Sequence, residues 1–93
     1  MLIEFDPEKD AVNIAKHGVS LSGAARFDWE NALIWEDRRR DYGELRQVAL
    51  TEWNGRLYTV VFVDRGDVRR IISLRKANLR EFDRYETETD STD

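Results

Sequence analysis

The sequence predicts one α+β domain, in which two N-terminal helices and a C-terminal helix cover an antiparallel sheet of about four to five strands. Apolar residues recur with helical spacing before Leu33, the period then changes to two, and helical spacing returns after Ala77. A length of 93 residues suits a single domain. Because the strand candidates follow one another without intervening helices, we expect a meander with the helices packed on one face.

The first helix has clear start and stop signals. Residues 2–5 form a short strand candidate before it. Asp6 is a suitable N-cap, Pro7 favours the first helical position, and Gly18 suits a left-handed C-cap. Helical spacing also groups four polar side chains on the side away from the apolar residues: Lys9, Asn13, Lys16 and His17.

A second helix is expected to begin at Ser20 and to fade near residue 28, with an apolar face formed by Leu21, Ala24 and Ala25. Four segments with strand character follow it: residues 33–35, 47–53, 57–63 and 68–74. Asn54-Gly55 predicts a two-residue hairpin turn between the second and third of these segments, since both residues tolerate a positive φ. The third segment is apolar at nearly every position, which is typical of a central strand.

The last strand leads directly into a basic helix. Alternation in residues 68–74 places Ile72 and Leu74 on one face of the sheet and Ile71 on the other. The helix is expected over residues 77–85, with Leu79 and Phe82 facing the core. Residues 1–86 are thus predicted to form the domain. Residues 87–93 lack apolar side chains and are predicted to be an acidic, disordered tail.

Composition excludes several classes of protein. The net charge is −4, yet bases outnumber acids over residues 38–85, which points to an anionic partner or to an ordinary mixed-charge surface. With no Cys and one His, neither a metal site nor a hydrolytic triad is expected, and no cofactor is implied. No apolar run suits a membrane span and no signal-peptide profile is present, so a cytoplasmic protein is expected.

The remaining cation-rich polar side chains suit RNA cleavage without a metal ion. A base assists attack of a ribose 2′-hydroxyl on the adjacent phosphate, cations stabilise the added negative charge, and an acid protonates the leaving oxygen. Lys16 and His17 at the end of the first helix, and Arg75 at the end of the last strand, are the candidates. Simpler structural explanations exist for each, since helix-end cations complement the helix dipole and Arg75 can pair with Glu81.

The chain also resembles the BrnT toxin family over residues 3–86. The resemblance is carried by residues 5–9, Asn13 and residues 16–19, by residues 43–46, and by residues 70–77 with Glu81 and Tyr85. Two positions depart from the family pattern, since Phe5 stands where the family often has Trp and Leu74 where it often has Ala. Neither change removes a candidate polar group. The resemblance implies a RelE-like version of the α+β fold.

The same resemblance implies the toxin of a bacterial type II toxin–antitoxin pair, acting as a metal-independent endoribonuclease that inhibits translation. The partner would be a BrnA-like ribbon-helix-helix antitoxin in a hetero-oligomer such as a heterotetramer, and this complex would repress its operon through antitoxin contacts with operator DNA. The positions implied to be catalytic are Lys16, His17, Arg75, Glu81 and Tyr85. The residues expected to bind RNA are Arg65, Arg70, Lys76 and Arg80.

Two other functions remain open from the sequence. The chain could be an inactive toxin homologue, a non-catalytic module whose basic face only binds an antitoxin-like partner. Arginine substitutions would then abolish complex formation and leave RNA unchanged. A direct DNA-binding regulator is less favoured, because no predicted helix carries the basic and amide side chains of a recognition helix.

Overall fold

The computed structural model describes residues 1–89, in which one five-stranded sheet is flanked by helices. The elements in chain order are β1 Leu2–Glu4, α1 Pro7–His17, the 3₁₀ helices Leu21–Arg26 and Trp29–Asn31, β2 Leu33–Glu36, β3 Gln47–Trp53, β4 Arg56–Arg65, β5 Val68–Lys76 and α2 Leu79–Thr89. The predicted α+β class is confirmed. Within residues 1–89, no helix has the length and hydropathy needed to cross a membrane.

The sheet is mixed, which corrects the prediction of an antiparallel sheet. Its strand order is β1-β5-β4-β3-β2, and every neighbouring pair is antiparallel except β1 with β5. The Leu2 amide donates a hydrogen bond of 3.0 Å to the Asp67 carbonyl, so β1 begins beside the turn that precedes β5. Alternation within three residues contains no information about the direction of a partner strand at the other end of the chain.

The predicted limits of α1 are confirmed. The Asp6 side chain accepts a hydrogen bond of 2.9 Å from the Glu8 amide and caps the first turn. At the other end Gly18 adopts a φ of 76°, and its amide donates to the Ile14 carbonyl at 2.8 Å. Glycine adopts this left-handed conformation without steric cost, so the chain turns sharply there and places His17 at the end of the helix.

The second helix begins at Ser20 as predicted, but it is a 3₁₀ helix. The Ser20 hydroxyl accepts a hydrogen bond from the Ser22 amide at 3.1 Å. A 3₁₀ helix has three residues per turn, so side chains three positions apart lie directly above one another. Leu21, Ala24 and Phe27 are therefore buried together, whereas Ala25 is exposed rather than part of the apolar face.

We distinguish a first face of the sheet, which carries Ala49 and Val60, from a second face, which carries Leu50 and Thr59. The first face packs against the Leu21–Arg26 helix, where the main core lies. Its buried members are Leu21, Ala24, Phe27, Ala49, Tyr58, Val60, Phe62, Ile71 and Leu74. The β3–β4 hairpin turns at Asn54 and Gly55, whose φ values of 54° and 78° confirm the predicted turn.

A β-bulge in β5 explains why strict alternation fails there. The pairing with β4 passes from Val61–Ser73 to Phe62–Ile71, which leaves Ile72 without a partner. Ile71 and Leu74 therefore both face the main core, each 1% exposed, although the sequence pattern assigned them to opposite faces. The bulge also puts Arg70 on the second face together with Ser73 and Arg75.

The C-terminal helix α2 lies over the second face, not beside the other helices as predicted. It begins at Leu79 because Asn78 is its cap: the Glu81 amide donates to Asn78 Oδ1 at 2.8 Å, and the Asn78 amide donates back to Glu81 at 2.9 Å. Leu79 is 77% exposed and Phe82 is 44% exposed, so the prediction that both face the core is wrong. Polar contacts dominate the docking of α2, and helical spacing alone does not reveal them.

The helix also continues past the predicted domain end at residue 86. Residues 87–89, which were expected to be disordered, form its last turn. Arg84 pairs with Glu88 at 2.8 Å, and the Thr89 hydroxyl donates to the Tyr85 carbonyl. These local contacts favour helix without any apolar burial. Residues 90–93 of the predicted tail lie outside the described residues.

Candidate functional site

A polar cluster on the second face joins the end of β5 to the start of α2. Arg75 forms two hydrogen bonds of 2.8 Å with the Glu81 carboxylate. Glu81 also accepts from the Thr59 hydroxyl at 2.8 Å and from the Asn78 amide at 2.9 Å. One carboxylate therefore caps α2, attaches it to the sheet and orients Arg75. The Arg75 side chain remains 37% exposed, so its guanidinium still reaches solvent.

The environment of Glu81 keeps it ionised at neutral pH. Burial acts to raise its pKa, but hydrogen bonds from Arg75, the Asn78 amide and Thr59 together outweigh burial and lower the pKa below 4.5. A carboxylate held in this way is a weak base. Its chemistry therefore suits the orientation of Arg75 better than the removal of a proton from a ribose hydroxyl.

Arg75 and Glu81 line a hollow of about 230 Å³ whose other wall is the β2–β3 connection. Asp37 lies in this wall with its side chain 1% exposed, and Arg39 binds it through two hydrogen bonds of 2.9 and 2.8 Å. The Tyr42 hydroxyl donates to the same carboxylate at 3.2 Å. The hydrogen bond from Arg39, above all, lowers the pKa of Asp37 to about 2, although burial opposes it.

Replacement of Asp37 by asparagine is expected to destabilise the fold by about 2 kcal/mol at neutral pH. Because the pKa of Asp37 falls from 3.8 to about 2 on folding, its contribution is complete above about pH 3.8 and is lost as pH falls through about 2. Urea unfolding at pH 7 and at pH 2 measures this, with the exposed Asp67→Asn as control. A stability gap between wild type and Asp37→Asn that stays the same at both pH values would contradict the assignment.

Lys16 and His17 line a different hollow, of about 450 Å³, beside β5. Ser73 of the second face contributes to its wall, together with Asn13 of α1. Asn13 is 5% exposed, and its side-chain amide forms hydrogen bonds of 2.8 and 3.2 Å with the carbonyl and amide of Leu74. β1 pairs with β5 only at residues 68–70, and beyond that point the Asn13 side chain forms the hydrogen bonds that a neighbouring strand would otherwise form with β5. The same contacts hold α1, which carries Lys16 and His17, against β5.

Tyr85 lines a third hollow with Glu52 and Leu57. Burial raises the pKa of its phenol, and the carboxylates of Glu52 and Asp28 raise it further. The phenol is therefore protonated at neutral pH, and its hydroxyl can donate or accept a hydrogen bond.

The five residues implied to be catalytic thus fall into three separate groups. Arg75 and Glu81 are in direct contact, the Lys16–His17 pair lies beside Ser73, and Tyr85 lies near Glu52. Each hollow includes at least one residue of the second face: Ser73 beside Lys16 and His17, Thr59 beside Glu81, and Leu57 beside Tyr85. The catalytic role of each residue remains a prediction.

Of the four residues expected to bind RNA, two form ion pairs with carboxylates and two are exposed. Arg65 pairs with Glu44 at 3.1 Å, and Arg70 pairs with Glu4 at 2.8 Å across the β1–β5 pair. Lys76 and Arg80 are exposed, and no carboxylate of residues 1–89 pairs with either of them. Their RNA contacts remain predictions.

Two residues important to this surface were not recognised from the sequence. Asn13 was grouped with exposed polar side chains, although it is buried against β5. Thr59 sits in an apolar strand, and its hydroxyl is one of the groups that hold Glu81. A polar residue inside an otherwise apolar strand is a usable signal for such a contact, because a buried hydroxyl needs a partner. Within residues 1–89, no three His, Cys, Asp or Glu side chains lie close enough to hold a metal ion.

Comparison with known proteins gives two matches that agree with each other. A family model for "Ribonuclease toxin, BrnT, of type II toxin-antitoxin system" matches residues 5–81. The fold is similar to the crystal structure of the Brucella abortus ribonuclease toxin BrnT, with 30% sequence identity and a TM-score of 0.66. That match covers 84% of this chain and 97% of the Brucella chain. No match was found among curated proteins.

Proposed function

The chain belongs to the BrnT family of ribonuclease toxins of type II toxin–antitoxin systems, and from this we propose that it is a metal-independent endoribonuclease that acts in the cytoplasm. RNA cleavage would inhibit translation, and the scaffold would be a RelE-like version of the α+β fold. The family match over residues 5–81 is the observation that carries the proposal. It includes four of the implied catalytic positions: Lys16, His17, Arg75 and Glu81.

The proposed active surface is the second face of the sheet along β5. Ser73 lines the hollow of Lys16 and His17, and Arg75 lines the next hollow, two positions along the same strand. Two residues of a strand span about 7 Å, so one RNA strand lying across β5 can reach both hollows. Glu81 holds Arg75 in place from the start of α2.

The proposed reaction transfers the phosphate within the RNA. A base removes the proton of a ribose 2′-hydroxyl, whose oxygen attacks the adjacent phosphorus and forms a 2′,3′-cyclic phosphate. The 5′-oxygen of the next nucleotide leaves and takes a proton from an acid. Arg75 stabilises the negative charge on the phosphate, and the His17 imidazole is the proposed acid or base. Tyr85 is the remaining implied catalytic residue with a proton to donate, although its raised pKa makes it a weak acid.

The purified protein is expected to cut a single-stranded RNA in the presence of EDTA and to leave a 2′,3′-cyclic phosphate. Gel analysis of end-labelled RNA measures cleavage, and mass spectrometry of the fragments identifies the new end. A matched RNA with 2′-deoxyribose at the cut nucleotide is the control, since it lacks the attacking hydroxyl. Intact RNA after long incubation, together with normal growth of cells that express the protein, would exclude the proposal.

The antitoxin partner and the operon follow as parts of the same proposal. A type II system contains a protein antitoxin, and family membership therefore implies one. We propose a BrnA-like ribbon-helix-helix protein that covers the active surface and binds operator DNA for the complex. Copurification of the chain with the product of a neighbouring reading frame tests this part.

One observation favours the alternative of an inactive, partner-binding homologue. Three arginines of the candidate surface already pair with carboxylates in the structure: Arg65 with Glu44, Arg70 with Glu4, and Arg75 with Glu81. Arginines paired in this way can hold the fold together, or exchange partners with an acidic antitoxin, without any contact to RNA. Loss of the complex in arginine variants, with RNA intact throughout, would support this function.

A further inference from the structure

A hollow on the first face, on the opposite side of the sheet from Arg75, combines an exposed indole with cations. It has a volume of about 240 Å³ and lies where β3 ends and the Leu21–Arg26 helix crosses the sheet. Trp53 and Arg26 form its rim, and Tyr58 and Leu74 form its floor. Tyr58 is stacked on Phe27 with ring centroids 5.2 Å apart, so this floor is a packed part of the core.

Trp53 offers a free aromatic surface at the mouth of this hollow. The residue is 38% exposed, although tryptophan is mostly buried in folded proteins. The guanidinium of Arg26 lies over its ring, 5.3 Å from the centroid. An indole next to a guanidinium is a combination on which a nucleobase can stack.

The cations around this hollow are not neutralised by carboxylates. The strand register places Arg56 opposite Trp53 and Lys76 opposite Tyr58, so both lie on the first face at the same end of the sheet as Arg26. All three side chains are exposed, and none pairs with an acid within residues 1–89. The Asp10 carboxylate reaches the lining through Ser20, but it binds the Ser20 hydroxyl and the Leu21 amide and pairs with none of these three cations.

This hollow also differs from those of the candidate site in its charge. Glu8 lines the hollow of Lys16, Asp37 and Glu81 line that of Arg75, and Glu52 lines that of Tyr85. The hollow at Trp53 has a basic residue and no acidic residue in its lining. The lining itself is therefore positively charged, which favours an anion.

We propose that an unpaired base of a single-stranded RNA stacks on Trp53, while Arg26, Arg56 and Lys76 contact the phosphates on either side of it. The inference rests on the proposed RNA substrate and adds a second binding site for it. Lys76 directly follows Arg75, and the two side chains point to opposite faces of β5. An RNA strand that passes the C-terminal end of β5 can therefore contact the active surface and the Trp53 hollow together.

An acidic peptide is a less suitable ligand for this surface. Carboxylates would satisfy the cations, but they leave the exposed indole without a partner. A single RNA strand provides both a ring to stack and a phosphate on each side of it, and base–aromatic stacking tolerates any base. The surface is thus expected to bind RNA with little sequence preference.

Binding can be measured separately from cleavage with a short fluorescein-labelled RNA that carries 2′-O-methyl groups and cannot be cut. Trp53→Ala is expected to weaken its binding about tenfold, and Trp53→Phe to preserve most of it. The triple substitution of Arg26, Arg56 and Lys76 by glutamine is expected to reduce the salt dependence of binding. Arg40→Gln, in the connection between β2 and β3, removes one exposed charge elsewhere and is the control for Arg56→Gln alone.

The outcomes distinguish this inference from the proposed function. The inference is overturned if the protein cleaves ordinary RNA but the Trp53→Ala and triple variants bind the uncleavable RNA as tightly as the wild type does. That result leaves the proposed function standing. Binding that depends on Trp53 without any cleavage supports the inference and removes the function. If a polyglutamate peptide binds as tightly as the RNA and loses affinity equally in the triple variant, the surface is a peptide site. Melting curves identify any variant that fails to fold, and the exposed glutamine substitutions then decide the question.

Discussion

Replacement of Arg75 by alanine is expected to reduce RNA cleavage by about 10²–10³-fold, the effect of removing one charged donor from the reacting phosphate. Arg75 is the cation that the structure holds most firmly on the second face, through two hydrogen bonds of 2.8 Å to Glu81. Single-turnover cleavage of a labelled RNA measures the effect. Arg75→Lys is expected to recover part of the rate, because it restores the charge without the two-pronged geometry.

The Arg75 substitution also removes a contact that attaches α2, so a matched control is needed. Arg69 lies on the same strand and forms a similar two-bond ion pair with Asp64, at 2.7 and 2.9 Å, but it faces the opposite side over Trp29 and Phe62. Arg69→Ala is expected to lower the melting temperature and to leave cleavage unchanged below it. Equal losses of cleavage in the two variants would assign Arg75 a purely structural role.

Replacement of Asn13 by alanine is expected to cost about 3 kcal/mol of folding free energy. The buried side chain makes three hydrogen bonds, to the Leu74 carbonyl, the Leu74 amide and the Val19 carbonyl. Alanine leaves these groups without partners in a place that water reaches poorly. For a domain of this size, the melting temperature is expected to fall by about 15 °C.

Urea unfolding of Asn13→Ala measures the effect directly. Val12→Ala is the control, because Val12 is the neighbouring residue and is 64% exposed. It is expected to change stability by no more than about 0.5 kcal/mol. A similarly small effect of Asn13→Ala would show that α1 is held to β5 by other contacts.

Local signals predicted local structure well. Asp6 and Gly18 define the limits of α1 through contacts within a few residues, and Asn54 and Gly55 define a turn through their own backbone preferences. The bulge at Ile72 was not predictable in this way. It depends on how β5 fits against β4, and the apolar residues around it suit either face.

The candidate site was predictable only where its contacts are local in sequence. The Arg75–Glu81 pair joins residues six positions apart, and the sequence already allowed it as the structural explanation of Arg75. The separation of Lys16 and His17 from Tyr85 depends on where the helices dock: α1 beside the edge of β5 and α2 over the second face. The contacts that decide this, from Asn13 to Leu74 and from Glu81 to Thr59, join distant parts of the chain. No periodic pattern contains that information.

The pairing of β1 with β5 has a consequence for synthesis on the ribosome. The first strand of the chain finds its neighbour only at residues 68–70, and Asn13 finds its backbone partner only at Leu74. The N-terminal third of the chain therefore waits for most of the domain to leave the exit tunnel before it can dock. Contacts this distant in sequence also slow folding. A nascent chain therefore carries Lys16 and His17 for most of its translation without the strand that bears Ser73 and Arg75, so the ribosome that makes the proposed toxin is exposed to its complete active surface only at the end.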